Sequence, residues 1–189
     1  MEIVQSDVYL GDVISADGSN TANIKARVSK GNGILSQIRN YLETVSFGAH
    51  YFKIALLLRE SLLLNGMLTN CDSWYGLSES EISDLESLDL AFFRTLFELP
   101  QTVPIVSFIL ETGSFSISTM IIVRIVIYLY YLLKFEDTEL QSKFFYSQWE
   151  NQVTSDWTTE VKRNLVELDS QQLIYLCTIA NHVDKLATA

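Results

Sequence analysis

The chain has 189 residues, 48% of them hydrophobic, and 23 acids against 13 bases give a formal net charge of −10 at pH 7. That apolar share supports a real core and excludes a disordered tail, and two Pro and eight Gly exclude a linker or a collagen-like chain. A molecule this acidic repels phosphate backbones at long range.

In chain order, Asp7 to Ser15 is rich in β-branched and aromatic residues and reads as a short strand or hairpin with Gly11 at a bend or bulge. Asp17-Gly18-Ser19-Asn20 makes a turn, and Asn20 or Thr21 is placed to cap a helix. Ile24, Val28, Gly31, Leu35, Ile38, Leu42 and Val45 then alternate at spacings of four and three, a helix with one narrow apolar seam. Gly31 and Gly33 weaken its middle and mark a kink or a close backbone approach.

Ser46 to Ala49 reads as a turn. Tyr51 to Met67 is so rich in Leu that it predicts a helix buried on most sides. Thr69 to Leu77 breaks the pattern and sets Trp74 and Tyr75 near a loop. Ser78 followed three residues later by Glu81 is a capping box, and the helix it opens carries Ile82, Leu85, Leu88, Phe92 and Leu96 on one face. That helix stops before Pro100, because the residue preceding a proline is pushed out of helical angles.

Pro104 to Gly113 predicts one more helical stretch, and Ser116 to Phe135 a long apolar helix with Met120, Arg124, Tyr128 and Tyr131 as a partly polar stripe. Its run from Ile117 to Leu133 is short of the roughly 20 residues a membrane span needs, and Arg124 sits at its centre, so it reads as a buried helix. Glu136-Asp137-Thr138 ends it. Leu140 to Gln148, Trp157 to Leu168 (capped by Asp156) and Gln171 to Ala187 complete a mainly α chain, with no strand–helix alternation and no fixed-period repeat.

The chemical inventory is sparse. Cys71 and Cys177 are too few for a disulfide framework and read as buried thiols in a reducing compartment, hence an intracellular protein, nuclear or cytoplasmic. His50 and His182 have no Cys or His at ligand spacing, so no metal is expected, and no cofactor. Met1 to Asp7 has neither the basic start nor the apolar run of a signal peptide. Lys30-Gly31-Asn32-Gly33 lacks the spacing of a phosphate loop, and no paired aspartates exist to hold two Mg²⁺ ions. Between Asp17 and Glu43 there is no acid, only Lys25, Arg27, Lys30 and Arg39. A basic helix side of this kind is suited to phosphate contacts, which position a duplex without reading its sequence.

The order Tyr9-Leu10-Gly11, Ile14, Asp17-Gly18-Ser19 and Ile24-Lys25-Ala26-Arg27-Val28 resembles the stretch that follows the polymerase palm in non-LTR (LINE-type) retrotransposon reverse transcriptases. Lys53 with the Leu-rich helix, Trp74-Tyr75-Gly76, Phe93-Arg94, Leu110-Glu111-Thr112-Gly113, Ile121 to Tyr131 with Arg124 and Tyr128, Gln148-Trp149, and Asp156-Trp157 through Lys162 extend the resemblance to Leu168. It implies a primer-grip-like remnant at 1–18 (Tyr9, Leu10, Gly11), a thumb-like helical bundle at 19–100 and a helical C-terminal extension at 101–189. It also implies a truncated, non-catalytic region without polymerase activity, whose Lys25, Arg27, Lys30 and Arg39 meet the backbone of an RNA or DNA duplex weakly. A palm-bearing polymerase chain, or a second copy, is the expected protein partner, and a membrane is not. The alternative is a helical protein–protein interaction module with no nucleic-acid role.

Overall fold

The structure is a computed structural model that describes residues 5–9, 11–45, 48, 50–100, 102–134, 140–150 and 156–167. The predicted turn at 46–49 falls mostly outside them. Leu10, Glu136-Asp137-Thr138 and the helix predicted for Gln171 to Ala187 fall outside them altogether. The protein is mainly α, with one short antiparallel hairpin at its start. Its residues divide into two compact units, 1–70 with 77–120, and 71–76 with 121–189.

In the first unit, β1 (Ser6–Tyr9) pairs antiparallel with β2 (Asp12–Ser15), Val8 opposite Val13 and Tyr9 opposite Asp12. Gly11 takes φ +89° in the connection, a left-handed angle that glycine adopts without steric cost. Helix α1 (Thr21–Thr44) buries Ile24, Gly31, Leu35, Ile38 and Leu42, the seam its spacing predicts. Asn20 stands at its cap position, but no side-chain cap hydrogen bond forms there. Thr21 is not the cap either: its hydroxyl donates to Glu81 Oε1 at 2.8 Å.

The Leu-rich segment is α2 (Tyr51–Leu58), a π-helical stretch (Arg59–Leu64) and α3 (Asn65–Leu68). Leu63, Leu64, Met67 and Leu68 are buried, but Leu57 and Leu62 are 54% and 46% exposed, so the segment is not buried on most sides. Leu62 lies within the π stretch, whose wider turn shifts the phase of the helix; Leu57 precedes it in α2, where Ala55 is the buried residue. Helix α4 (Glu79–Phe97) opens on the predicted capping box, in which Glu81 N–H donates to Ser78 Oγ and Ser78 N–H to Glu81 Oε2. It buries Leu85, Leu88, Phe92, Phe93 and Leu96.

Helix α1 packs on both α3 and α4. Gly31 makes the close approach: a Cβ there would lie 2.3 Å from Leu88 Cδ2 and 3.1 Å from Met67 Cγ. Gly66 does the same against Ile34, whereas a Cβ at Gly33 would meet nothing within 4 Å. Helix α5 (Ile105–Thr112) ends at Gly113, whose φ of +63° terminates it in the left-handed region.

The second unit contains a short 3₁₀ turn (Cys71–Ser73), most of α6 (Ile117–Leu132), α7 (Leu140–Glu150) and α8 (Trp157–Glu167). Ile121, Ile125, Leu129 and Leu132 are buried at spacings of four, four and three, one face of α6. Asp156 caps α8 by accepting the Thr159 N–H at 2.8 Å, as expected from sequence. The core here includes Trp74, Phe145, Trp149, Val161 and Leu165. Among the described residues, no helix is long and apolar enough to cross a membrane.

Candidate functional site

The residues singled out at the start of the chain meet at the junction of the hairpin and α1. Strand β2 lies along α1. Asn23, in the first turns of α1, accepts the outward Val13 N–H on its Oδ1 at 3.2 Å, so an edge amide of the hairpin is satisfied by the helix. Arg27, one turn further on, donates to Asp12 Oδ1 at 2.5 Å and to the Gly66 carbonyl at 3.3 Å. Asn70 donates to the other Asp12 oxygen at 2.5 Å. Three chain segments therefore converge on a single carboxylate.

The electrostatics follow from this geometry. Burial alone would raise the Asp12 pKa, but hydrogen bonds from Asn70 and Arg27, the Arg27 charge and Asn23 outweigh it, and the carboxyl is held below its ordinary range. The ionised form is the one the site is built for.

This arrangement corrects the reading of Arg27. Its side chain is 3% exposed and ion-paired to Asp12, so it does not present its charge to a phosphate. A buried guanidinium needs a partner, and the hairpin supplies it. The signal was in the spacing: Arg27 lies three residues after Ile24 and four before Gly31, on the apolar seam itself.

Lys25, Lys30 and Arg39 are exposed on α1. Arg39 also donates to Thr95 Oγ1 of α4 at 3.1 Å. At 3.6 residues per turn, Lys25 and Arg39 lie within about 40° of each other but about 21 Å apart along the axis, and Lys30 is about 140° round from Lys25. The three cations are thus separate charges, not one stripe.

Tyr9 and Gly11 flank the hairpin turn, and Tyr9 is 65% exposed. Leu10, the remaining member of that trio, lies outside the described residues. Since Tyr9 is the cross-strand partner of Asp12, its backbone pairs directly with the residue that the clamp holds. Among the described residues, no group of three or more His, Cys, Asp or Glu is arranged to hold a metal ion.

No family model, curated protein or solved structure matches the chain.

Proposed function

We propose that the chain is a non-catalytic, thumb-like helical module of the LINE-type reverse-transcriptase kind, which lays its hairpin tip and the exposed side of α1 against a template–primer duplex. The Asp12–Arg27 clamp supports this reading best. It joins the hairpin that presents Tyr9 to the helix that presents Lys25 and Arg39 on one side, so an aromatic tip and backbone-seeking cations keep a set separation. A palm-bearing polymerase chain supplies the metal-binding aspartates, and the module works inside the cell.

The test is fluorescence anisotropy with an RNA–DNA hybrid and a DNA duplex at several salt concentrations. Two phosphate contacts, from Lys25 and Arg39 on one side of α1, give a log–log salt slope of about −2. Reversal of Lys25 and Arg39 to Glu abolishes binding, and Tyr9→Ala weakens it. Absence of binding at low salt overturns the reading. So does magnesium-dependent nucleotide incorporation by the purified chain.

A second reading, a helical protein-interaction module, is favoured by one observation. Val123, Ile127, Tyr130 and Tyr131 of α6 are 48%, 59%, 58% and 61% exposed, an apolar stripe on the side opposite its buried face. Sedimentation velocity separates the two readings: a concentration-dependent oligomer without duplex binding favours the second.

A further inference from the structure

The second unit contains a cleft of about 270 Å³ that the duplex-binding reading does not use. Its walls are rings: Tyr75 from the connection after the 3₁₀ turn, Tyr128 from α6, Phe144 and Phe145 from α7, and Trp157 from α8. The Trp157 indole is pinned, because its Nε1–H donates to the Asp72 carbonyl at 2.6 Å. Pinned there, it stands edge-to-face with Tyr128, centroids 5.6 Å apart at 76°, and with Phe145, 6.4 Å at 72°. The hydrogen bond and the edge-to-face packing fix this aromatic lining, against which a planar ring can stack.

The polar groups of the lining include the amides of Gln141 and Gln148. They are seven residues apart on α7, so they lie on one face about 10 Å apart along the axis, with Phe144 and Phe145 between them. The Gln148 carbonyl accepts the Thr158 hydroxyl at 3.3 Å, which ties that end of α7 to α8. Each amide side chain offers both donors and an acceptor. Among the described residues, no charged side chain lines the cleft.

We propose that this cleft binds a neutral, planar heteroaromatic ring with both a donor and an acceptor on its edge, a purine nucleoside being the class that fits. The uncharged side chains of the described lining match a neutral ligand. Either amide offers both a donor and an acceptor, which a purine edge can use and an indole, with a donor and no acceptor, cannot. The volume, below the roughly 300–1,000 Å³ of drug-sized sites, limits the enclosed part of the occupant to one ring system, the purine, with the ribose outside.

The experiment titrates the full chain with adenosine and follows tryptophan fluorescence excited at the red edge. Saturable quenching is expected. Phe144→Ala removes a wall whose side chain is 63% exposed, so the fold survives, and it weakens binding about tenfold or more. Gln148→Leu keeps the shape, removes the amide and weakens binding several-fold, with helix content by circular dichroism unchanged in both variants. Absence of saturation up to the solubility limit of adenosine overturns the proposal, as does unchanged affinity in Phe144→Ala. Toluene binding as tightly as adenosine, or unchanged affinity in Gln148→Leu, overturns the donor–acceptor part. Adenosine 5′-monophosphate binding more tightly than adenosine overturns the neutral-ligand part.

Discussion

Arg59 grips Asp89 through two hydrogen bonds of 2.7 Å each, its Nε and one Nη donating to the two carboxylate oxygens. The guanidinium also lies 4.6 Å from the centroid of the Phe93 ring. The pair joins the first residue of the π-helical stretch to the middle of α4, and both residues are buried.

Removing one partner leaves the other charge buried and unpaired. Asp89→Ala is therefore expected to cost about 3–5 kcal/mol in urea unfolding, whereas replacing the pair together by Arg59→Met and Asp89→Leu costs far less. A single variant no worse than the double variant would show that the pair carries no such penalty.

The two glycines in the middle of α1 should respond with opposite signs. Gly31→Ala places a methyl 2.3 Å from Leu88 Cδ2, and Leu88 and Met67 are both buried with little room to yield. Overpacking of this kind costs about 1–3 kcal/mol and outweighs the gain in helix propensity. Gly33→Ala meets open space and stabilises by about 0.4–1 kcal/mol through the unfolded chain. Thermal denaturation of the two variants side by side checks the difference in sign.

Acid should loosen the hairpin from α1. The Asp12 pKa is lowered in the folded state, so its contribution is complete above the unfolded value of about 4 and is lost as pH falls through the lower folded value. Amide exchange at Val13 and Ile14, followed from pH 6 down to pH 3, is expected to rise relative to the core of α1. In Asp12→Asn that pH dependence disappears, and the hairpin is loose throughout.

Cys71 is expected to be inert in the folded protein. Burial, opposed by the Arg124 charge nearby, pushes its thiol up to about 11, so very little thiolate exists at neutral pH. With Cys177→Ser removing the other thiol, alkylation at pH 7.5 should proceed only through unfolding and accelerate in urea in step with the loss of helix. Fast labelling without denaturant would show that the thiol is accessible.

Much of this fold was legible because its signals are local. The hairpin bend at Gly11, the seam from Ile24 to Leu42, the Ser78–Glu81 capping box and the Asp156 cap are each written within a few residues. The site was less legible because its determinants are distant partners. Asp12 meets Arg27 across 15 positions and Asn70 across 58, and Arg59 meets Asp89 across 30. Net charge over a segment told nothing of direction round the helix, which is why Arg27 was grouped with Lys25 and Lys30 although it points inward. Nor does a run of leucines reveal a π-helical turn, since that depends on which carbonyl each amide finds.

Glu81 has a second task that its place in the capping box does not announce. One oxygen closes the first turn of α4 with Ser78, and the other receives the hydroxyl of Thr21, 60 positions earlier, at the first residue of α1. Two long rods, begun far apart in the chain, are moored to the same post. Neither can start to unwind from that end without slackening the tether of the other, so a single anion couples their fraying.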